Sequence, residues 1–349
     1  MRNRLSSMHS SDRSTEVKTM MSTAAIVATL ACTAALSGCS SEKTSSQSPS
    51  QSATGKTSYT FGLANQQESV TFPAALAKGA KAKAAQLGVK IVDLDSQGDQ
   101  AKQASQVQDL IAQKVNGIVL VPLSPGPAQA LADQAAAAGI PIGTAHGYVG
   151  ANQDVNTPYA KLKFVIDENE LGAGATAGAM AIKAVPNGGK VAVISGSAGF
   201  VENTTRVTKF KAALAAAGAG KYKIVATQPG DWTKEKGQSA CQNILAATPD
   251  IKLFYTLSDD MAVGCATAVK SAGSKAKIIG LGGSAAGIAA IKSGAVYGTV
   301  CYKPADEGAM AVQMMYDSVT GKLTGPPKTN FYDSPGITAA NVNSCTPQW

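Results

Sequence analysis

The chain contains short apolar runs separated by stretches with a helical pattern. Residues 89–92 and 118–121 are two such runs, and between them Ala104, Val107 and Ile111 recur at three- and four-residue spacing. Apolar positions at this spacing form the buried stripe of an amphipathic helix, and the flanking runs are typical of buried strands. The pattern predicts a βαβ unit with parallel strands and a right-handed crossover. In such sheets ligands bind beyond the carboxyl ends of the strands, so we expect a site at the turns that follow them.

The same alternation repeats along most of the chain. The predicted strands are residues 59–64, 89–92, 118–121, 140–144, 164–166, 191–194, 222–227, 253–256 and 277–281. The predicted helices, besides the one between residues 92 and 118, are residues 74–87, 128–138, 171–184, 204–217, 234–247 and 261–272. One compact sheet does not accommodate this many units, so the pattern predicts an α/β fold of two doubly wound, parallel-sheet lobes.

Composition and charge agree with a globular protein and argue against nucleic acid as a partner. The 349 residues are 44% hydrophobic and 15% charged, which suits two α/β domains. The formal net charge of +8 is spread thinly, without a run of Lys and Arg or interleaved aromatic residues. His146 is the only histidine outside the leader and no C-x-x-C motif occurs, so neither a metal centre nor a cofactor is predicted.

The first residues have the pattern of an export signal followed by a linker. A basic leader precedes residues 20–36, an alanine-rich apolar stretch that is too short for a convincing membrane span. Residues 36–39 resemble a bacterial lipobox, which implies cleavage after residue 38 and lipidation of Cys39; the alternative is a free cysteine in an ordinary signal. Residues 39–57 are rich in Ser, Thr and Gln and are predicted to be a flexible tether. We therefore expect a protein that is lipid-anchored to the outer face of the cell membrane.

Four cysteines follow the leader and Cys39, an even number in an oxidising compartment. Three pairings are open. We favour Cys241–Cys265, on helices that follow successive strands, and Cys301–Cys345, which would join a late strand to the last residues of the sequence. Buried free thiols are the alternative.

Several turns after predicted strands carry motifs that resemble one known family. The motifs are Asp93-Leu94-Asp95-Ser96-Gln97, Gln228-Pro229-Gly230-Asp231-Trp232 and Ser258-Asp259-Asp260-Met261-Ala262. They resemble the ribose-binding-protein family, the type I periplasmic solute-binding proteins of ABC sugar importers, over about residues 58–335. The resemblance implies a monomer of two lobes that closes on a sugar or polyol and delivers it to a membrane permease.

The resemblance also implies where the lobes are divided. Three crossovers are expected near residues 164–168, 302–304 and 332–335. The expected lobes are residues 58–166 plus 303–332 and residues 167–302 plus 333–349.

The resemblance implies a set of ligand-binding residues around the cleft. Arg206 occupies the position of the family's ligand-binding arginine, whose fork donates to two oxygens. Trp232 matches an aromatic residue that stacks on the apolar face of a sugar, and Phe72 is expected to act similarly from the other lobe. The other candidates are polar side chains that could bond ligand hydroxyls, namely Glu68, Glu202, Ser258 and Tyr302. For these four, a surface carboxylate, a turn cap or a packed tyrosine is the alternative. For Arg206 the alternative is a salt bridge on the helix surface, and for Trp232 it is packing in the core.

The chain also departs from the family pattern. Ala145 and His146 stand where pyranose-binding members have an Asp-Arg pair, and Gly282 stands where a further Asp is expected. Two carboxylate acceptors are therefore missing, so the resemblance favours a smaller, differently arranged or modified ligand. His146 is still expected to contact it; a structural histidine is the alternative.

Rival functions have weaker support. Residues 280–285 match a loose G-x-G-x-x-A dinucleotide pattern, but Val300 and Cys301 stand where the partner carboxylate would be needed. No G-x-S-x-G or H-E-x-x-H motif occurs, which disfavours an enzyme. A repressor would need a helix-turn-helix where this chain has its leader. A receptor domain that reports the ligand to a signalling partner stays open as the alternative function.

Overall fold

The computed structural model describes residues 58–150 and 156–349. The predicted export signal, the lipidation of Cys39 and the tether lie outside these residues. Within the described ranges, every helix is too short or too polar to cross a membrane.

Six parallel strands form the first sheet. They are β1 (Thr60–Asn65), β2 (Lys90–Asp95), β3 (Gly117–Leu120), β4 (Ile142–Ala145), β5 (Val165–Asp167) and β11 (Thr329–Phe331). Their order across the sheet is β11-β5-β4-β3-β1-β2. Its helices are α1 (Thr71–Leu87), α2 (Gln100–Ala112), α3 (Pro125–Ala137) and α9 (Pro304–Val319). Helices α1 and α9 cover one face of the sheet, and α2 and α3 cover the other.

Strand β3 shows how the sequence produces these two faces. Ile118 and Leu120 belong to the core beneath α2 and α3, whereas Val119 and the following Val121 belong to the core beneath α1 and α9. All four side chains are at most 1% exposed. Because successive side chains of a strand point to opposite faces, a strand covered on both sides is continuously apolar.

The second sheet also has six strands. They are β6 (Gly189–Ser195), β7 (Tyr222–Pro229), β8 (Leu253–Thr256), β9 (Lys277–Gly282), β10 (Gly298–Cys301) and β12 (Gly336–Thr338). Their order is β12-β10-β9-β8-β6-β7, and all are parallel except β12, which runs antiparallel to β10. The helices packed with it are α4 (Glu170–Ala184), α5 (Glu202–Ala216), α6 (Lys234–Ala247), α7 (Asp259–Ser271) and α8 (Ala285–Lys292). A 3-10 segment, Ala339–Ser344, follows β12.

The chain passes between the two sheets three times. The crossings follow Asp167 at the end of β5, Cys301 at the end of β10 and Phe331 at the end of β11. The two-lobed fold and its three crossovers are confirmed, while the lobe boundaries at residues 166, 302 and 332 stay predictions. All strands and helices predicted before residue 284 are present with their ends shifted by a few residues.

Both favoured disulfides are present in the structure. Cys241–Cys265 joins α6 to α7 inside the second lobe, and Cys301–Cys345 joins the end of β10 to the segment after the 3-10 turn. The first bridge ties two neighbouring helices that already pack on each other. The second fixes the last residues of the sequence beside a crossover.

Candidate functional site

A cleft lies between the carboxyl ends of the two sheets. The N-termini of α1, α5 and α7 border it, together with residues of the second crossover. The space not filled by atoms is about 630 Å³ when the open mouth is included. The helix N-termini carry partial positive charge, so they favour the acidic first turns found at Glu202 and Asp259.

Aromatic rings from opposite lobes form the walls of the cleft. Phe72, in the first turn of α1, has its ring centroid 4.4 Å from that of His146. Trp232 lies across the cleft on the loop between β7 and α6 and meets Phe200 edge-to-face at 5.7 Å. Phe72 and Trp232 thus line the same cleft from different lobes, and their faces offer it aromatic surface.

The position of Trp232 is fixed by its backbone and by a glycine. Asp231 and Trp232 have φ angles of 46° and 64°, which are sparsely populated by residues other than glycine. Gly196 lies under the indole, where a Cβ atom would come within 1.9 Å of Trp232 Cζ2. The buried Nε1 of Trp232 has no hydrogen-bond partner in the described residues and is free to donate to a ligand.

A further aromatic ring comes from the end of the sequence. Trp349 lies 5.9 Å from Phe72 in an edge-to-face arrangement and lines the cleft. Its Cζ2 atom is 3.1 Å from the place where a Cβ of Gly282 would stand. The indole thus fills the space next to the position at which the resemblance leads one to expect an aspartate.

Arg206 is held in the floor of the cleft by a carboxylate of the protein. Its Nε and Nη2 donate to the two oxygens of Glu170, and Nη1 donates to the carbonyl oxygen of Leu257 at 3.0 Å. The hydroxyl of Tyr302 donates to the same Glu170 carboxylate at 3.0 Å. Burial alone would raise the pKa of Glu170, but the adjacent guanidinium outweighs it and lowers the pKa below its ordinary value.

His146 lies between several carboxylates where the lobes meet. Its Nδ1 is hydrogen-bonded to Glu168, and its backbone N–H donates to Glu307 Oε1 at 2.6 Å. Its Nε2 is 3.6 Å from Glu202 Oε1, on the opposite lobe. Burial lowers the pKa of His146, but the neighbouring carboxylates, chiefly Glu168, overcome this and raise it to about 10.

The carboxylates near His146 outnumber the cations. Burial raises the pKa of Glu202 and, together with Glu168, raises the pKa of Asp167 to about 8 and that of Glu307 well above its ordinary value. Asp167 accepts from the hydroxyl of Tyr148 at 2.8 Å. Glu202 Oε2 is buried without a partner in the described residues, so it can accept from a ligand or, when protonated, donate to one.

The acidic residues around His146 also bear on metal binding. Ligand atoms of His146, Glu168 and Glu307 lie within 4.8 Å of one another. Oε1 of each carboxylate is hydrogen-bonded to the histidine, Glu168 to the ring and Glu307 to the backbone, whereas Oε2 of each is buried without a partner among the described residues. The prediction of a site without a metal stays a prediction.

One hydrogen bond joins the two lobes at the mouth of the cleft. Thr71 Oγ1, at the start of α1, donates to Asp260 Oδ2, in the first turn of α7, at 2.9 Å. This contact spans the opening, so it defines a conformation in which the lobes are closed.

Most of the predicted site residues lie around this cleft. They are Phe72, His146, Glu202, Arg206, Trp232, Ser258 and Tyr302. Ser258 also caps α7, because its hydroxyl accepts from the N–H of Met261 at 3.3 Å. Glu68 does not line the cleft: its carboxylate accepts from Asn65 at 3.2 Å and lies beside Asp93 on the first lobe.

Other residues that line the cleft, or that bind a lining residue as Glu170 does, lie outside the predicted set. Glu170 carries a recognisable signal, since it is an acidic residue in the first turn of the helix after a crossover strand. Phe200 lies in the loop after β6 and Asp260 in the first turn of α7, and their signal is only a position shortly after a strand. Trp349 has none, because it follows no strand and reaches the cleft only through a disulfide and a 3-10 turn.

The fold and the cleft define a two-lobed solute-binding protein. The model of the family described as "Periplasmic binding protein domain" matches residues 61–323, and the chain belongs to this family. Its members bind solutes and are not enzymes.

Comparisons with individual proteins agree. The chain is 30% identical over 269 residues to the ribose import binding protein of Haemophilus influenzae, covering 75% of this chain and 86% of that protein. It is 32% identical over 257 residues to the D-allose-binding periplasmic protein of Escherichia coli, covering 69% and 78%. A solved ABC transporter solute-binding protein of Mycobacterium smegmatis with bound glycerol is 28% identical, with a TM-score of 0.72 over 82% of this chain and 96% of that chain.

Proposed function

We propose that this protein is the binding component of an ABC importer and takes up a sugar or polyol in the cleft between its lobes. The observation that carries the proposal is the pairing of Phe72 and Trp232 on opposite walls above the buried polar side chains of Arg206 and Glu202. The similarity to proteins named for ribose and D-allose supports a carbohydrate over other small solutes.

The chemistry of the cleft suits a hydroxylated carbon skeleton. An aromatic ring offers area and a fixed orientation to the C–H face of such a ligand. The hydroxyls need partners, because a buried polar group without one costs about 1–3 kcal/mol. Trp232 Nε1 and Glu202 Oε2 are buried and unpartnered among the described residues, and both belong to residues that line the cleft, so they can supply such partners.

Arg206 is positioned before any ligand arrives. Glu170 and the carbonyl of Leu257 hold the guanidinium, and its carbon lies 5.8 Å from the Trp232 ring and 5.5 Å from the Tyr302 ring. A guanidinium fixed in this way loses little further side-chain freedom when it donates to a ligand oxygen. Its role is therefore to present fixed donors at the floor of the cleft.

Binding is coupled to closure of the lobes in this proposal. The lobes open at the three crossovers, and a ligand that touches both walls favours the closed state in proportion to its extra contacts there. The closed lobes then present a surface to a membrane permease. Lipidation of Cys39, which lies outside the described residues, would hold the protein at the outer face of the membrane, as the lipobox-like residues 36–39 indicate.

A thermal-shift screen of residues 58–349 tests the proposal. The panel contains D-ribose, D-allose, myo-inositol, allitol and glycerol, with amino acids as unrelated solutes. A ligand at one hundred times its Kd stabilises the protein by about 2.7 kcal/mol, which gives a clear rise in melting temperature. We expect a rise with at least one sugar or polyol and its loss in Arg206→Ala. A rise with amino acids alone would contradict the proposal.

A further inference from the structure

We propose that Trp349 is a ligand-contacting residue that restricts what the cleft accepts, and that the Cys301–Cys345 disulfide holds it there. We call residues 339–349 the tail segment. The inference rests on the proposed function and deepens it, because it assigns a third wall of the site to a part of the chain far from the other walls in sequence.

The second lobe is shaped to receive the tail segment at two adjacent glycines. A Cβ at Gly282 would stand 3.1 Å from Trp349 Cζ2, and a Cβ at Gly283 would stand 2.5 Å from Cys345 Sγ. Both residues also have positive φ angles, of 145° and 76°. Side chains at these positions would displace the tail segment, so the glycine pair that resembles a dinucleotide motif instead makes room for it.

The tail segment is fixed at several points around the indole. Cys345 is bonded to Cys301, the residue directly before Tyr302 of the site. The carbonyl oxygen of Trp349 accepts from the N–H of Ala285 at 2.8 Å, at the start of α8. The side-chain oxygen of Gln348 accepts from the N–H of Ala305 at 2.8 Å, at the start of α9. Because α8 packs on the second lobe and α9 on the first, these bonds tie the tail segment to both lobes.

The indole then determines the chemistry of one side of the cleft. Trp349 and Phe72 meet edge-to-face, and Gly282 contributes no polar side chain beside them. A ligand edge placed here meets aromatic carbon, so a C–H or deoxy position is favoured over a hydroxyl that would lose its hydrogen bonds to water. We infer that the ligand places a C–H or deoxy edge against this wall, as a deoxy sugar does.

Calorimetric titration with matched sugar pairs tests the selectivity. The pairs are D-ribose with 2-deoxy-D-ribose and D-galactose with its 6-deoxy form, D-fucose. We expect wild type to bind a deoxy member more tightly than its hydroxylated partner; tighter binding of the hydroxylated member in both pairs would contradict the selectivity. We expect Trp349→Ala to weaken that binding by about tenfold and to reduce the preference.

The two disulfides provide a matched pair of variants for the anchoring claim. Cys301→Ser/Cys345→Ser removes the bridge of the tail segment, and Cys241→Ser/Cys265→Ser removes a bridge inside the core of the second lobe. Both should lower the melting temperature, but only the first should weaken ligand binding by about tenfold. If Cys301→Ser/Cys345→Ser does not fold, Trp349→Ala tests the role of the indole with the disulfide intact.

Fluorescence gives an independent reading of contact. The sequence contains two tryptophans, Trp232 and Trp349, so Trp232→Phe leaves Trp349 as the only indole. Saturating the Trp232→Phe variant with the preferred compound should shift the emission of Trp349 and protect it from acrylamide quenching.

The possible results separate the two proposals. Unchanged affinity in both Trp349→Ala and Cys301→Ser/Cys345→Ser would overturn the role of the tail segment and leave the proposed function standing. A wild type that binds no sugar or polyol would overturn the proposed function and this inference together.

Discussion

Arg206 and Glu170 form a two-pronged ion pair at the floor of the cleft, with both carboxylate oxygens facing the guanidinium. Both residues are buried, Arg206 with 4% and Glu170 with 6% of its surface exposed. The pair joins the first turn of α4 to the N-terminal part of α5. The residue that the sequence marks as ligand-binding is therefore already bound by the protein itself. Glu170 sets the orientation of Arg206, and the ligand meets donors that are fixed in advance.

Replacing Glu170 should destabilise the protein more than replacing Glu202. Glu170→Gln leaves the buried charge of Arg206 without its partner, which costs about 3–5 kcal/mol in comparable sites. Glu202 is equally buried, but its nearest cation, His146 Nε2, is 3.6 Å away. Burial raises the pKa of the Glu202 carboxyl. Urea unfolding should therefore show a large loss for Glu170→Gln and a much smaller one for Glu202→Gln. Equal losses would mean that Arg206 does not depend on Glu170.

The hydrogen bond between Thr71 and Asp260 should favour the closed state. It joins the two lobes, so Thr71→Val removes a contact that exists only when they are closed. An exposed hydrogen bond contributes about 0.5–1.5 kcal/mol, so ligand affinity measured by calorimetry should fall by about two- to tenfold. Ser69→Ala is the matched control, because Ser69 bonds only within its own loop, to Gln67. Equal affinities in the two variants would contradict a role in closure.

Stability should decrease at alkaline pH because of His146. Its pKa in the folded state is about 10, against 6.5 for an ordinary histidine. The folded protein therefore keeps this proton after the unfolded chain has lost it, and the stabilisation is complete below pH 6.5 and lost as the pH rises toward 10. Between pH 8 and 10 the contribution is up to about 1.4 kcal/mol per pH unit. The melting temperature of His146→Gln should fall less steeply than that of the wild type between pH 8 and 10. Parallel curves would mean that a group other than His146 holds the proton.

Gly196 should be required for the position of Trp232. A methyl group there would come within 1.9 Å of the indole, so Gly196→Ala should displace the ring and lower ligand affinity by about tenfold. Ala198→Ser adds one atom to the same loop at an exposed position and should leave binding unchanged. Similar affinities in both variants would show that the indole is not placed by Gly196.

The sequence predicts the fold well because the fold depends on local patterns. Continuous apolar runs such as residues 118–121 indicate strands buried on two faces, and their alternation with helical stripes indicates parallel sheets. The elements after residue 284 have weaker patterns: the pattern indicates a helix after residues 280–285 without giving its bounds, and it does not assign α9, β11 or β12. Strand β12 is three residues long and pairs antiparallel with β10, which an alternation of strand and helix does not indicate.

The site is predicted less completely because it depends on contacts between distant residues. Residues at the carboxyl ends of strands, such as Arg206 and Trp232, are found from their position and from the resemblance. Glu68 has the same kind of position, yet its carboxylate lies toward Asn65 and Asp93, because a loop does not fix the direction of each side chain. Trp349 reaches the cleft through tertiary contacts alone, so no local pattern marks it.

Calorimetric titration of the sugar or polyol that gives the largest thermal shift, into wild type and Trp232→Ala, tests the central claim most directly. We expect one binding site per chain in the wild type and an affinity lower by at least about tenfold in Trp232→Ala, because the variant loses one aromatic wall of the cleft. Binding of the same strength in both proteins would mean that the ligand does not lie between Phe72 and Trp232, and would contradict the proposed site.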